Sequence, residues 1–218
     1  MEQPDLWRWA GLGAGALALA LFDLRQRRRA TARQRHARLR GRWLDAVLAR
    51  PGQEIVAVQT IRNSVMAATI VASTTVIALM GTISLVGPVA LHLALRAADT
   101  LGETAITPVR TAIGGLIVAT LFTSFILATQ SARFYNHLGY LVGFGADIAP
   151  EDRAVAQRYV ALAGRYYSDS LRTLFYLAPL VAGLLEPLAV LPGVLLIIAA
   201  LAWFDRGGAS PQSLSDFG

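Results

Sequence analysis

The chain has 218 residues, of which 55% are hydrophobic and 16% charged, and it carries a formal net charge of +6. Ordinary soluble domains are roughly 25% charged, so the apolar excess, gathered here into long runs, points to a membrane protein. There is no cysteine, which excludes disulfides, thiol chemistry and a cysteine zinc site.

A helix needs about 20 mostly apolar residues to cross roughly 30 Å of hydrocarbon. The first candidate is LWRWAGLGAGALALALF, residues 6–22. Trp7 and Trp9 suit an interface, and Arg8 can snorkel outward from the first turn. Glu2 and Asp5 precede the run and the arginines follow it. That is the reverse of a secretory signal peptide, so residues 1–22 read as an uncleaved anchor. GLGAG, residues 11–15, fits the GxxxG pattern of close helix packing, a signal of low specificity.

Next comes RQRRRATARQRHARLRGR, residues 25–42, with nine arginines and no acid: Arg25, Arg27, Arg28, Arg29, Arg33, Arg35, Arg38, Arg40 and Arg42. All 20 basic residues of the chain are arginine; with the abundant alanine, glycine and leucine this suggests a GC-rich bacterial genome. Arginine-rich short loops lie on the cytoplasmic side of a membrane, and each arginine near an anionic leaflet contributes about 1 kcal/mol of attraction. The run lacks the interleaved aromatics on which bases stack. Anionic headgroups, not nucleic acid, are therefore the expected partner. In RLRGRWLDAVLAR, residues 38–50, Leu39, Trp43, Leu44, Val47 and Leu48 fall at helical spacing on one face. This is either an interfacial helix on the inner leaflet or a helix packed on another cytoplasmic one. Pro51-Gly52 ends it.

From Glu54 the chain reads without proline or glycine to Gly81. The pattern predicts one helix that begins in the cytoplasm and crosses the bilayer over residues 64–87. Gln59, Arg62, Asn63 and Ser64 fall where it enters, with Thr69, Ser73, Thr74, Thr75 and Thr82 deeper. Hydroxyls there bond to their own helix or to a neighbour, or else line a hydrated path. The third span is TAIGGLIVATLFTSFILATQ, residues 111–130, with Thr120, Thr123 and Ser124. Arg133, Asn136 and His137 follow it. HLGYLVGFGADIAP, residues 137–150, is expected along the inner interface. Ala149-Pro150-Glu151-Asp152 signals a helix start, and that helix is expected to continue unbroken into the next span.

The last apolar region, residues 171–204, would make a single helix of about 50 Å. It is interrupted at Glu186-Pro187 and at Pro192-Gly193, and proline breaks helices. It splits into helices near 170–185 and 188–204, a full hairpin or one that turns within the membrane. Glu186 is expected at the external turn. Arg62, Arg133 and Arg172 stand at helix ends, where arginines snorkel; at one membrane level they also form an anion-attracting ring. The candidate pathway residues are thus Gln59, Arg62, Asn63, Ser73, Thr74, Arg133, Asn136 and Arg172.

Arginine counts fix the orientation. Segment 23–63 holds eleven, 88–110 two and 131–170 four. The bias puts the N-terminus outside and 23–63 and 131–170 in the cytoplasm. No serine-hydrolase, Walker or HExxH motif is found. His36, His92 and His137 lie on separate elements without carboxylates at ligand spacing. No catalytic residue, metal or cofactor is expected.

The segment 42–81 resembles the uncharacterised membrane proteins of bacteria and plants grouped as domain-of-unknown-function family 599. The matching elements are Arg42-Trp43, the Q-x-x-R-N element from Gln59 to Asn63, and Ala72-Ser73-Thr74. SARFYNHLGYLVG supplies Arg133 and Asn136, and LRTLFYLAPLVAGLLEPLAVL resembles the family's C-terminal pair. The resemblance covers roughly residues 36–206 and departs at Glu186-Pro187, where the family pattern implies a histidine or another residue before the proline. The loop over 99–110 also departs. It implies the fold and brings no activity.

The expectation is an all-α, polytopic transmembrane helical bundle of the bacterial inner membrane. It has four or five spans, an external N-terminus and helices extending into the cytoplasm. Its parts are an anchor (1–22), an arginine-rich amphipathic segment (23–63), a helical membrane domain (64–206) with a cytoplasmic helix (151–170), and a flexible tail (207–218). Five short helices enclose little space, so a homo-oligomer is expected. It would act as a channel or transporter for a small ion or solute, or alternatively as a non-conducting scaffold with a basic cytoplasmic face.

Overall fold

The structure, a computed structural model, describes residues 3–28, 31–96 and 108–207. Among them the regular structure is all helical. The helices are α1 (Gln3–Arg28), α2 (Thr31–Leu48), α3 (Glu54–Arg96), α4 (Pro108–Val142), α5 (Pro150–Phe175), α6 (Leu177–Leu185) and α7 (Val190–Gly207), with short 3-10 turns at Gly145–Asp147 and Pro187–Ala189. The expected tail lies outside the described residues from 208 onward, as does most of the 99–110 loop.

Several boundaries follow from local chemistry. At the end of α2 the chain turns at Pro51-Gly52, where Gly52 takes φ 85, a left-handed conformation that glycine adopts without steric cost. Proline at the first position and acids in the first turn open α5, as the missing N–H and the helix dipole favour. Other boundaries differ from expectation. The helix that begins at Glu54 continues through Gly87 and Pro88 to Arg96, so 88–96 is helix and not loop. Residues 137–142 do not form a separate segment but are the last turns of α4. The helix from Pro150 is interrupted at Tyr176 before α6 begins. Pro192 falls in the first turn of α7, where proline is tolerated, so of the two expected proline breaks only Glu186-Pro187 separates two helices.

The chain divides into two compact units, residues 1–32, 79–120 and 175–218 in one, and 33–78 and 121–174 in the other. In the first, α1 packs on α7, and α7 on α6. Gly15 lies where a Cβ would come within 3.3 Å of Val190 and 3.5 Å of Val194, while Gly11 has no neighbour within 4 Å. One half of the GxxxG pattern is therefore used. α6 and α7 cross closely at Gly193, where a Cβ would stand 3.0 Å from Pro179 Cβ and 3.1 Å from its Cα.

The second unit is a four-helix bundle of α2, the first half of α3, the second half of α4, and α5. Its buried positions on α4 are Leu121, Ser124, Ala128, Ser131, Tyr135, Leu138 and Val142. The steps alternate three and four residues, the seven-residue seam of bundle packing. α3 contributes Ala57, Ile61, Ala68 and Thr75 on the same period, and α5 contributes Ala156, Val160, Ala163 and Ser170. Leu44 and Leu48 of α2 complete the core. Of the two sequence readings for α2, the structure thus gives the one in which it packs on other helices.

The seam also accounts for many hydroxyls. Ser124 Oγ lies 2.9 Å from Ser170 Oγ, and Ser170 Oγ donates to the Ser124 carbonyl at 2.9 Å. Ser131 donates to the Ala163 carbonyl at 2.9 Å. Thr75 donates to Val71 of its own helix at 2.6 Å. These are the internal partners that buried hydroxyls require.

Candidate functional site: the outward polar face of the second unit

Helix α3 turns 100° per residue, so the residues opposite its seam can be read off directly. Gln59, Arg62, Asn63, Met66, Ile70, Ser73, Thr74 and Ile77 form the outward face, and all are exposed. Five of the eight expected pathway residues therefore share one stripe of one helix. On α4, Arg133 and Asn136 are likewise exposed on the side away from its seam. Arg172 departs from this pattern: it sits partly buried on α5. The other seven all lie outside the interior of the bundle, which is filled by Leu44, Ile61, Leu138, Val142 and Val160.

The stripe is mixed. Ile70 and Ile77 are 62% and 73% exposed within the chain, and they alternate with the polar groups along the same face. Isolated exposed apolar residues are ordinary, but a continuous band of them marks an interaction surface or a lipid boundary.

Of the basic run, Arg25, Arg38 and Arg42 are exposed. The side chains of Arg27, Arg28, Arg29, Arg33 and Arg35 lie outside the described residues. Arg40 departs from the expected lipid-facing run: it is partly buried, and its guanidinium lies over Gly164 where a Cβ would overlap it. Further polar links were not expected from the sequence. Asp45 of α2 accepts from Arg153 Nε at 3.2 Å and from Gln157 Nε2 at 3.0 Å. In the other unit, Arg110 Nη2 donates to the Leu185 carbonyl at 2.9 Å, a cation on the last turn of α6 where the helix dipole favours it. Glu186 is exposed at the turn that follows.

Two described helical stretches, Glu54–Leu85 and Pro108–Val142, are long and apolar enough to cross a membrane, and Pro187–Trp203 is a shorter apolar helix. Among the described residues no group of histidines and carboxylates is arranged to hold a metal. No curated protein and no solved structure matches the chain. A family model matches residues 11–209, which takes in both units and the whole outward stripe. The chain therefore belongs to the family described as protein of unknown function, DUF599.

Proposed function

We propose that this is a multi-pass protein of the bacterial inner membrane, with four or five spans and its N-terminus outside. Its copies assemble through the outward face of α3 to form a conduit for a small ion or solute. The observation that carries the reading is the placement of polarity. The core of the second unit is packed with aliphatic side chains and its hydroxyls are used between helices or within them. Gln59, Arg62, Asn63, Ser73 and Thr74 are left on the outside of an apolar helix. Gln59, Arg62 and Asn63 stand where the helix enters the bilayer and Ser73 and Thr74 within it, and polar groups at that depth are accommodated by water or by another protein surface. Burial supports the membrane setting. Only 11% of the most apolar window of Glu54–Leu85 is buried within the chain, whereas the core helix of a soluble protein is mostly buried.

A second reading has its own observation. Met66, Ile70 and Ile77 on the same stripe suit a dry helix contact, which favours a non-conducting scaffold with a basic cytoplasmic face. The absence of cysteine makes the test clean. Ser73→Cys, Thr74→Cys and Ile77→Cys are introduced singly and treated in native membranes with a thiol-specific oxidant and with a charged, water-soluble thiol reagent. Assembly through α3 predicts self-crosslinking. Conduction adds modification of Thr74→Cys by the charged reagent. Crosslinking without modification selects the scaffold, and neither result rejects the interface.

A further inference from the structure

Within the second unit lies a cavity of about 300 Å³, the lower end of the range for small-ligand sites. Leu39, 52% exposed, and Trp43 form its accessible sides, and the edges of Ile61, Leu138 and Val160, each no more than 4% exposed, form its floor. Three hydroxyls reach it, and two of them donate to backbone carbonyls of their own helix. Thr60 donates to the Val56 carbonyl at 2.9 Å and Ser64 to the Thr60 carbonyl at 3.0 Å. Tyr135 is hydrogen-bonded with Ser64. The remaining polar group is Arg40.

Arg40 is the anomaly of the basic run. Exposed arginines stand on either side of it at Arg38 and Arg42, yet its own side chain turns inward. Its Nε is buried without an acceptor, and among the described residues no carboxylate pairs with it. A guanidinium is always charged, and a buried N–H of it without an acceptor is expensive. The bundle nevertheless makes room for it: Gly164 is buried, and a Cβ there would overlap the guanidinium. An apolar chamber with one unpaired, fixed cation is complementary to a molecule with an apolar body and an anionic head.

We propose that this cavity binds a single-chain anionic amphiphile, its carboxylate or phosphate on Arg40 and its chain along Leu39 and Trp43. Gly164 is a positioning residue that holds Arg40 in place. The site is independent of whether the protein conducts.

The test uses the full chain in nanodiscs of zwitterionic lipid, with Trp7→Phe, Trp9→Phe and Trp203→Phe so that Trp43 is the sole tryptophan. A terminally brominated decanoate quenches tryptophan on contact. Saturable quenching of Trp43 is expected. Affinity should fall about tenfold or more in Arg40→Gln, as for loss of a charge-assisted contact, and comparably in Gly164→Ala, which displaces the flexible guanidinium end while leaving the backbone in place. Arg153→Gln, whose partner is Asp45, should bind as the parent. Equal quenching by the brominated alcohol, equal competition by inorganic phosphate, or no saturable quenching would overturn the proposal. If circular dichroism shows that Arg40→Gln does not fold, Gly164→Ala decides: parental affinity in that variant also overturns it.

Discussion

Replacing Leu44 by alanine separates the two roles open to the arginine-rich helix. Leu44 is fully buried in the second unit, alongside Leu48, Ala57, Leu138 and Val160. Truncation removes the transfer energy of the lost carbons and leaves a cavity, in total about 2–5 kcal/mol. The upper half of that range is expected here, because Ala57, Ala156 and Ala163 in the same core have no side chain that can swing into the gap. Leu39, on the same helix, is 52% exposed; its replacement removes roughly half of a leucine's burial, about 1 kcal/mol. The assay is reversible unfolding of the reconstituted protein by denaturant, followed by circular dichroism and by protease cleavage within 31–48. Leu44→Ala should lower the midpoint well beyond Leu39→Ala. Equal and small effects, with loss of vesicle binding instead, would show that α2 lies on the leaflet and refute its place in the bundle.

Other predictions test the remaining contacts. Ser124→Ala removes the donor to the Ser170 carbonyl at 3.1 Å, while the Ser170 hydroxyl keeps its bond to the Ser124 carbonyl, so the change should cost about 0.5–1.5 kcal/mol; Ser170→Ala should cost about as much and the double change less than the sum of its parts, and unfolding midpoints of the four proteins close the cycle. Gly193→Ala drives a methyl onto the Pro179 backbone and should destabilise by about 1–3 kcal/mol, whereas Gly11→Ala, with nothing within 4 Å, should be neutral or stabilise by up to about 1 kcal/mol; thermal aggregation in detergent distinguishes them. Asp45→Asn breaks a pair whose side chains are 40% and 42% exposed, so the loss should stay within about 1 kcal/mol and shrink further in salt.

Much of the fold is written in local signals. Pro51-Gly52, the start at Glu54, the Pro150 start with its two acids, and the Glu186-Pro187 break all act through backbone geometry within a few residues, and the structure places element ends there. The division into two units is not written that way. It cuts α3 after Ala78 and α4 after Thr120, in the middle of uniform apolar helices, because it is set by which seams meet. Residues 137–142 differ from the sequence expectation for a related reason. Their apolar content suggests an interface, but the three-and-four spacing of Ser131, Tyr135, Leu138 and Val142 carries the α4 seam through them.

The candidate site divides likewise. That Gln59, Arg62, Asn63, Ser73 and Thr74 share a face follows from helical spacing. That the face is turned outward follows only from Ala57, Ile61, Ala68 and Thr75 occupying the seam. Arg40 stands three and four residues before Trp43 and Leu44, which puts it on the packed face of α2, but its contact with Gly164, distant in sequence, comes only from the fold. Arg110 likewise meets Leu185 only through the fold.

Ion flux through the purified protein in liposomes tests the central claim most directly. Vesicles are loaded with chloride, nitrate, potassium or protons in turn, with Arg62→Ala as the control on the α3 stripe. The account predicts flux of at least one ion, altered in rate or selectivity by that substitution. No flux of any ion from folded, oriented protein would contradict conduction along α3 and leave the scaffold reading in its place.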